Sequence, residues 1–273
     1  MAPKGIPLME VFNMVYLGAK NVQAMDQHGF ITLISDKGSQ FLYSIREEHV
    51  DATQPAIRFK DDICVTVNGP TCYFKNLRME FDLFSHAYKD TLNIRWMPED
   101  YEDCCDTEAL LEHLPEVDLL EKRVQSRDGT REISILMGLF LNATVANVKV
   151  KLLGNFVGLD VYGVVAASNS KVDDCKGTSV LFARKANREI SLGADGLIPL
   201  SQSRVAVPLN SVLSVEISLH VNGECYRASV PVRAKYSGTS HEKDSESVFE
   251  VSVEWDANRE SVYSEYDHAY AGF

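Results

Sequence analysis

The chain of 273 residues has no apolar run near the ~18 residues of a helical membrane span, and its strongest stretch, 133–141, is only long enough for a strand. The first residues carry Lys4 but no apolar core, so a secretory leader is not expected, and neither end shows a lipidation or retention motif. Those absences lead us to expect a cytoplasmic protein with reduced thiols. The six cysteines (64, 72, 104, 105, 175 and 225) include no Cys-x-x-Cys pair, and a chain of this length does not need disulfide staples. Cys104 and Cys105 sit among Glu102, Asp103 and Asp106, whose charge raises a thiol pKa and opposes nucleophilic use. Seven histidines (28, 49, 86, 113, 220, 241 and 268) show neither His-x-His nor His-Glu-x-x-His spacing. Asp61, Asp62, Asp173, Asp174 and Asp195 fall in expected loops without the ligand series of a calcium site. No Gly-x-Ser-x-Gly, Walker A or dinucleotide glycine pattern is present. No metal and no cofactor is expected.

Positive charge is also in short supply. Lys and Arg number 27 against 39 Asp and Glu, a net of −12, which argues against a nucleic-acid backbone as the default partner. The imbalance is not uniform, because the stretch 98–123 carries −8 and the tail from Glu254 carries −4. The rest of the chain is close to neutral, so a local basic face remains open to it.

What the chain has in quantity is period-two alternation. Leu77, Met79, Phe81 and Leu83 fall on one face of an extended segment, and Arg78, Glu80 and Asp82 on the other. The pattern returns in Leu213, Val215, Ile217 and Leu219, with Glu80 and Glu216 at matching outward positions. The elements on both sides recur in the same order. Strands are expected at 9–17, 28–35, 40–45, 56–59, 63–67, 77–84, 92–97 and 132–140 in the first half. They are expected at 145–153, 159–166, 179–183, 188–191, 198–207, 213–221, 226–234 and 248–255 in the second. Gly29 and Gly163 stand inside corresponding strands, where glycine marks a bulge or a close backbone approach.

The expected fold class is therefore all-β, as two tandem antiparallel eight-stranded β-sandwiches spanning 8–142 and 143–256, with a boundary near 140–144. One short helix is expected at 106–114, capped by Asp106 or Thr107, with Leu110, Leu111 and Leu114 as its stripe and Pro115 as its stop. It lies in the acidic insertion, 98–123. An acidic aromatic tail, 257–273, follows the second sandwich, and Tyr263, Tyr266, Tyr270 and Phe273 recur in it at the spacing of one helix face. Such a face is a candidate for docking in a partner's groove.

Several short motifs, taken in order, resemble a plant domain family of unknown function abundant in grasses. They are Leu8 to Met14 with its Met9-Glu10-Val11-Phe12 core, Gly29 to Thr32, the turn Val67-Asn68-Gly69-Pro70-Thr71, Asp160 to Val165, and Leu213 to Ile217. The likeness runs from about Leu8 to Trp255. That family is similar to the C-terminal part of the jasmonate-induced ribosome-inactivating protein of barley, which follows an rRNA N-glycosidase domain. The resemblance implies a plant stress or defence setting, an association with translation, and protein partners such as the ribosome or translation factors. It supplies no active site.

Two chemistries raised by the resemblance can be tested on the residues. N-glycosidase action needs a helical Glu-Ala-x-Arg, and the nearest string, Glu108-Ala109-Leu110-Leu111, lacks the arginine that would stabilise the departing base. The chain is thus read as non-catalytic, with rRNA N-glycosidase as an alternative by family label only. RNA or mRNA cap binding needs two aromatic faces and a carboxylate. Trp96 and Trp255 are the only tryptophans, with Glu99 and Glu254 near them, and these four residues are the candidates for that alternative.

Overall fold

The computed structural model of the chain describes residues 5–16, 27–35, 38–45, 58–59, 71–72, 78–85, 90–96, 117–125, 132–154, 156, 158–172, 177–187 and 189–257. Every regular element among them is a strand. The first half holds β1 (Ile6–Tyr16), β2 (Gln27–Ser35), β3 (Gly38–Ile45), β4 (Arg58–Phe59), β5 (Thr71–Cys72), β6 (Arg78–Ser85), β7 (Asp90–Trp96) and β8 (Val117–Gln125). A long strand, β9 (Glu132–Leu152), leads into β10 (Asp160–Asn169), β11 (Ser179–Arg184), β12 (Ile190–Ser191) and β13 (Arg204–Pro208). The chain closes with β14 (Val212–Val221), β15 (Glu224–Arg233), β16 (Ser237–Lys243) and β17 (Phe249–Asp256).

These strands form a four-stranded sheet in the order β3-β2-β6-β7, and a five-stranded sheet in the order β11-β10-β14-β15 with β12 on β10. Both are antiparallel throughout. The third sheet has eight strands along the path β16-β17-β9-β1-β4, with β8 and β13 also on β9 and β5 on β1. Its one parallel pairing is the short β1–β4 contact. The internal repeat is visible in the connectivity, because β3-β2-β6-β7 and β11-β10-β14-β15 have the same order of chain segments. Likewise β8 and the first part of β9 make a hairpin whose second strand pairs with β1, and β16 and β17 do the same against the later part of β9.

The all-β class is as the alternation indicates. β14 shows why: Leu213, Val215, Ile217, Leu219 and Val221 are buried while Glu216 is exposed. Each fully buried aliphatic side chain contributes about 1.5–3 kcal/mol relative to exposure. These residues meet Val148, Val150 and Leu152 of β9 and Phe249, Val251, Val253 and Trp255 of β17 in one apolar core, so the second half is sandwich-like.

The position of the expected boundary, 140–144, lies inside the continuous strand β9. The acidic stretch 98–123 ends in a strand, since β8 pairs with β9 from Val117 to Gln125. Its adjacent Leu119 and Leu120 and its charged Glu121, Lys122 and Arg123 blur the period of two. β16 is hidden for a related reason: it is an edge strand with six of its seven residues exposed, so it carries no apolar alternation. The sheets therefore number four, five and eight strands, and β9 belongs to the eight-stranded one, where strands of both halves pair with it. The expected strand at 63–67 and the helix at 106–114 lie outside the described residues.

The alternation along β9 also creates a second, smaller core. Ala146 and Val148 face the large core, so Ala143 and Val145 face the other way, as does Ala206 of β13. Ile6, Leu8 and Phe12 of β1 cover them, joined by Phe140 and Val172. Phe12 meets Phe140 edge to face at 6.2 Å and 85°. Gly138 lies beneath this pair, where an added Cβ would stand 2.7 Å from both rings.

Candidate functional site

The outward face of the five-stranded sheet carries an aromatic pair that the strand register builds. Tyr162 of β10 lies directly opposite His220 of β14, and their rings stack at 4.6 Å between centroids with 1° between planes. Both side chains are half-buried. His220 in turn lies opposite Cys225 of β15, and the next outward row pairs Ser218 with Arg227. Cys225 and Arg227 are exposed. One row further, Glu216 accepts hydrogen bonds from Ser214 Oγ at 2.9 Å and Ser229 Oγ at 2.6 Å. Rigid strands thus hold an aromatic stack, a guanidinium and a hydroxyl-bound carboxylate on one surface.

Beside this face, Cys225, Tyr226 and Arg227 line an open cleft of about 440 Å³ together with Asp244, Glu246, Val248 and Phe249. Asp244 organises its far wall. Its Oδ1 accepts from the Phe249 amide at 2.6 Å and its Oδ2 from the Glu246 amide at 3.1 Å, closing the β16–β17 turn. Tyr226 donates its hydroxyl to Glu224 at 2.7 Å, and that bond holds the phenol above its ordinary pKa. Among the described hydrogen bonds, none joins the Cys225 thiol to the facing His220 ring. The cleft offers hydrogen bonds and charge, which suit recognition. Among the described residues, no group of three or more His, Cys, Asp or Glu is placed to hold a metal ion.

A different kind of site lies where β1 crosses the second half. Glu10 shares the inward face of β1 with Leu8 and Phe12, and is 1% exposed. Its Oε2 accepts from the Ala206 amide at 2.7 Å, and its Oε1 accepts from Ser179 Oγ at 2.6 Å and from Gln202 Nε2 at 3.4 Å. Burial pushes its pKa up to about 7, against the lowering effect of those three bonds.

Of the residues nominated for cap recognition, the structure describes the side chains of Glu254 and Trp255, and it turns these two apart. Trp255 is 2% exposed, part of the large core, and its indole N–H donates to Ser240 Oγ at 3.0 Å. Glu254 is exposed on the opposite face of β17. Consecutive strand residues cannot turn toward one ligand, and an indole with both faces packed cannot stack on a base. In this structure Trp255 closes its own core. Trp96 ends β7 opposite Met79, with only its backbone described. Glu99, Tyr263, Tyr266 and Tyr270 lie outside the described residues.

Sequence reasoning passes over Tyr162, His220 and Glu10 as site residues. The first two meet only through strand register, which no local pattern reveals. Glu10 does leave a signal, a charged residue at an inward position between Leu8 and Phe12.

Fold and surface together define an all-β protein, sandwich-like in its second half, with an aromatic and polar face on its five-stranded sheet. A family model described as Domain of unknown function (DUF6598) matches residues 107–255, more than half the chain, and the chain belongs to that family. The match runs from ahead of β8 into β17 and spans the junction within β9. No curated protein and no solved structure matches the chain.

Proposed function

We propose that the protein is a non-catalytic binding module of a plant stress or defence system, acting in the cytoplasm on translation through a protein partner such as the ribosome or a translation factor. The plant setting and the link to translation rest on the ordered motifs that resemble the C-terminal part of the barley jasmonate-induced ribosome-inactivating protein. The binding role rests on the outward Tyr162–His220 stack, flanked by exposed Arg227 and held on rigid strands. Half-exposed aromatic rings beside a guanidinium are the side-chain types that dominate binding energy at protein interfaces. We also read the chain as two copies of one sandwich unit joined through β9, on the strength of the repeated strand order.

The test is co-sedimentation with ribosomes from jasmonate-treated leaf, comparing the wild-type chain with the double variant Tyr162→Ala, His220→Ala. Wild type should pellet with ribosomes and the variant should stay in the supernatant. Equal behaviour of the two chains refutes a role for this face. Depurination of rRNA by the purified chain would replace the reading with the enzymatic one.

A further inference from the structure

Glu10 joins two parts of the chain that are far apart in sequence. It belongs to the first strand, yet its three hydrogen-bond donors come from the start of β11, from β13 and from the segment just before β13. The only strand that β13 pairs with is β9, so its other edge is free of strand partners among the described residues. The Glu10 carboxyl takes the Ala206 amide on that edge. Gln202 is fixed in turn, because its Nε2 also donates to the Arg204 carbonyl at 2.9 Å. Leu8 and Phe12, on either side of Glu10, seal the contact with apolar surface.

We propose that the Glu10 carboxyl is a proton-operated latch that holds β1 on the β11–β13 edge when protonated and loosens it when ionised. The inference is independent of the binding role of the Tyr162–His220 face. The protonated form fits the site without rearrangement of the backbone. The carboxyl proton goes to Ser179 Oγ across the existing 2.6 Å contact, the hydroxyl turning from donor to acceptor, and the other oxygen keeps the Ala206 amide. Ionisation leaves a full negative charge in a site with only neutral donors. The groups facing the carboxyl are Ser179, Gln202 and the Ala206 amide, and the nearest β9 residues are Met137, Gly138 and Leu139. The cations carried by the surrounding strands are Arg184 at the end of β11, Arg204 on β13, Lys149 and Lys151 on the later part of β9, and Arg58 on β4. Among the described residues no cation is one of the groups that lower the carboxyl pKa, and a buried charge held by neutral donors alone is costly.

The rise of the carboxyl pKa from 4.5 to about 7 sets the working range. Opening of β1 should become roughly a hundredfold easier between pH 5 and pH 8, since each pH unit crossed between the ordinary and the raised pKa is a factor of ten in the linked equilibrium. The test is hydrogen exchange of the full chain at both pH values, corrected for the intrinsic pH dependence of amide exchange, in wild type and in Glu10→Gln. Protection of residues 6–16 and of the Ala206 amide should fall by about two orders of magnitude in wild type and stay level in the variant. Equal protection at both pH values in wild type, or an equal fall in the variant, overturns the latch. Should the variant not fold, carbon-13 NMR of wild type with labelled glutamate decides. A buried carboxyl titrating near 7 supports the latch, and the absence of any carboxyl titrating above about 5.5 overturns it.

Discussion

Glu254 and Trp255 are neighbours on β17 and face opposite ways, the carboxylate exposed and the indole packed in the core with its N–H on Ser240 Oγ at 3.0 Å. That bond crosses from β17 to β16, and it ties the edge strand to the interior through the one inward residue β16 offers. Ser240→Ala removes the acceptor and leaves a buried indole donor unpaired. The expected cost is about 1–3 kcal/mol, read as a lower urea midpoint with an unchanged slope. Trp255→Ala should cost about 3–5 kcal/mol through the cavity it leaves. A surface-like, small loss for Trp255→Ala would restore the residue as a ligand-binding candidate.

The same two residues show what is legible in the sequence and what is not. The strands around Leu213–Val221 and 248–255 can be read because a half-buried strand alternates, and their expected bounds match the observed ones nearly to the residue. Trp255 can be placed inward by the same rule, since it continues the series Phe249, Val251, Val253. β16 cannot be read, because an edge strand exposed on both faces has no reason to alternate. Nor can the division of the chain be placed, because β9 runs as one strand through Ala143 and Thr144, buried on both faces there, and so serves both halves. The Tyr162–His220 stack depends on a pairing across some 58 residues of chain, and only the register supplies it.

Glu10 makes global stability depend on pH in a definite direction. Its folded-state pKa is about 7 and its ordinary value 4.5, so between these the folded chain holds more protons than the unfolded one. Stability from this group is full below about pH 4.5 and is lost as pH rises through 7, by roughly 3 kcal/mol in all. Unfolding by urea at pH 5, 6, 7 and 8 should show the decline in wild type, and Glu10→Gln should lack it. Ser179→Ala removes a bond that favours the ionised form, so it should move the carboxyl midpoint above 7. A midpoint that moves down would show that Ser179 acts mainly as acceptor of the carboxyl proton.

Two glycines separate backbone strain from collision. Gly163 on β10 has φ +131, and an added Cβ would run into the Ser218 carbonyl oxygen of β14. Gly223 forms the β14–β15 turn with Asn222, at φ 85 and 51, and a Cβ there would meet open space. Gly223→Ala should therefore cost about 1 kcal/mol, from conformation alone. Gly163→Ala adds a clash between two central strands and should cost more than about 2 kcal/mol, enough to lower the thermal midpoint by several degrees. Equal losses would mean that β10 and β14 separate at this point at little cost.

The Tyr162–His220 stack can be weighed apart from any partner. A double-mutant cycle with Tyr162→Ala, His220→Ala and the pair together isolates the ring–ring term from the loss of each side chain's other contacts. Stacked rings at 4.6 Å should couple by about 0.5–1.5 kcal/mol, toward the low end because both are half-exposed. Either single variant should fold, since neither residue belongs to the buried core. That matters for the binding role: loss of partner affinity in a chain whose stability falls by no more than the coupling energy is loss of a surface. A coupling near zero would mean the rings do not stack in solution. The face would then present two independent side chains, and its aromatic platform would have to be sought elsewhere.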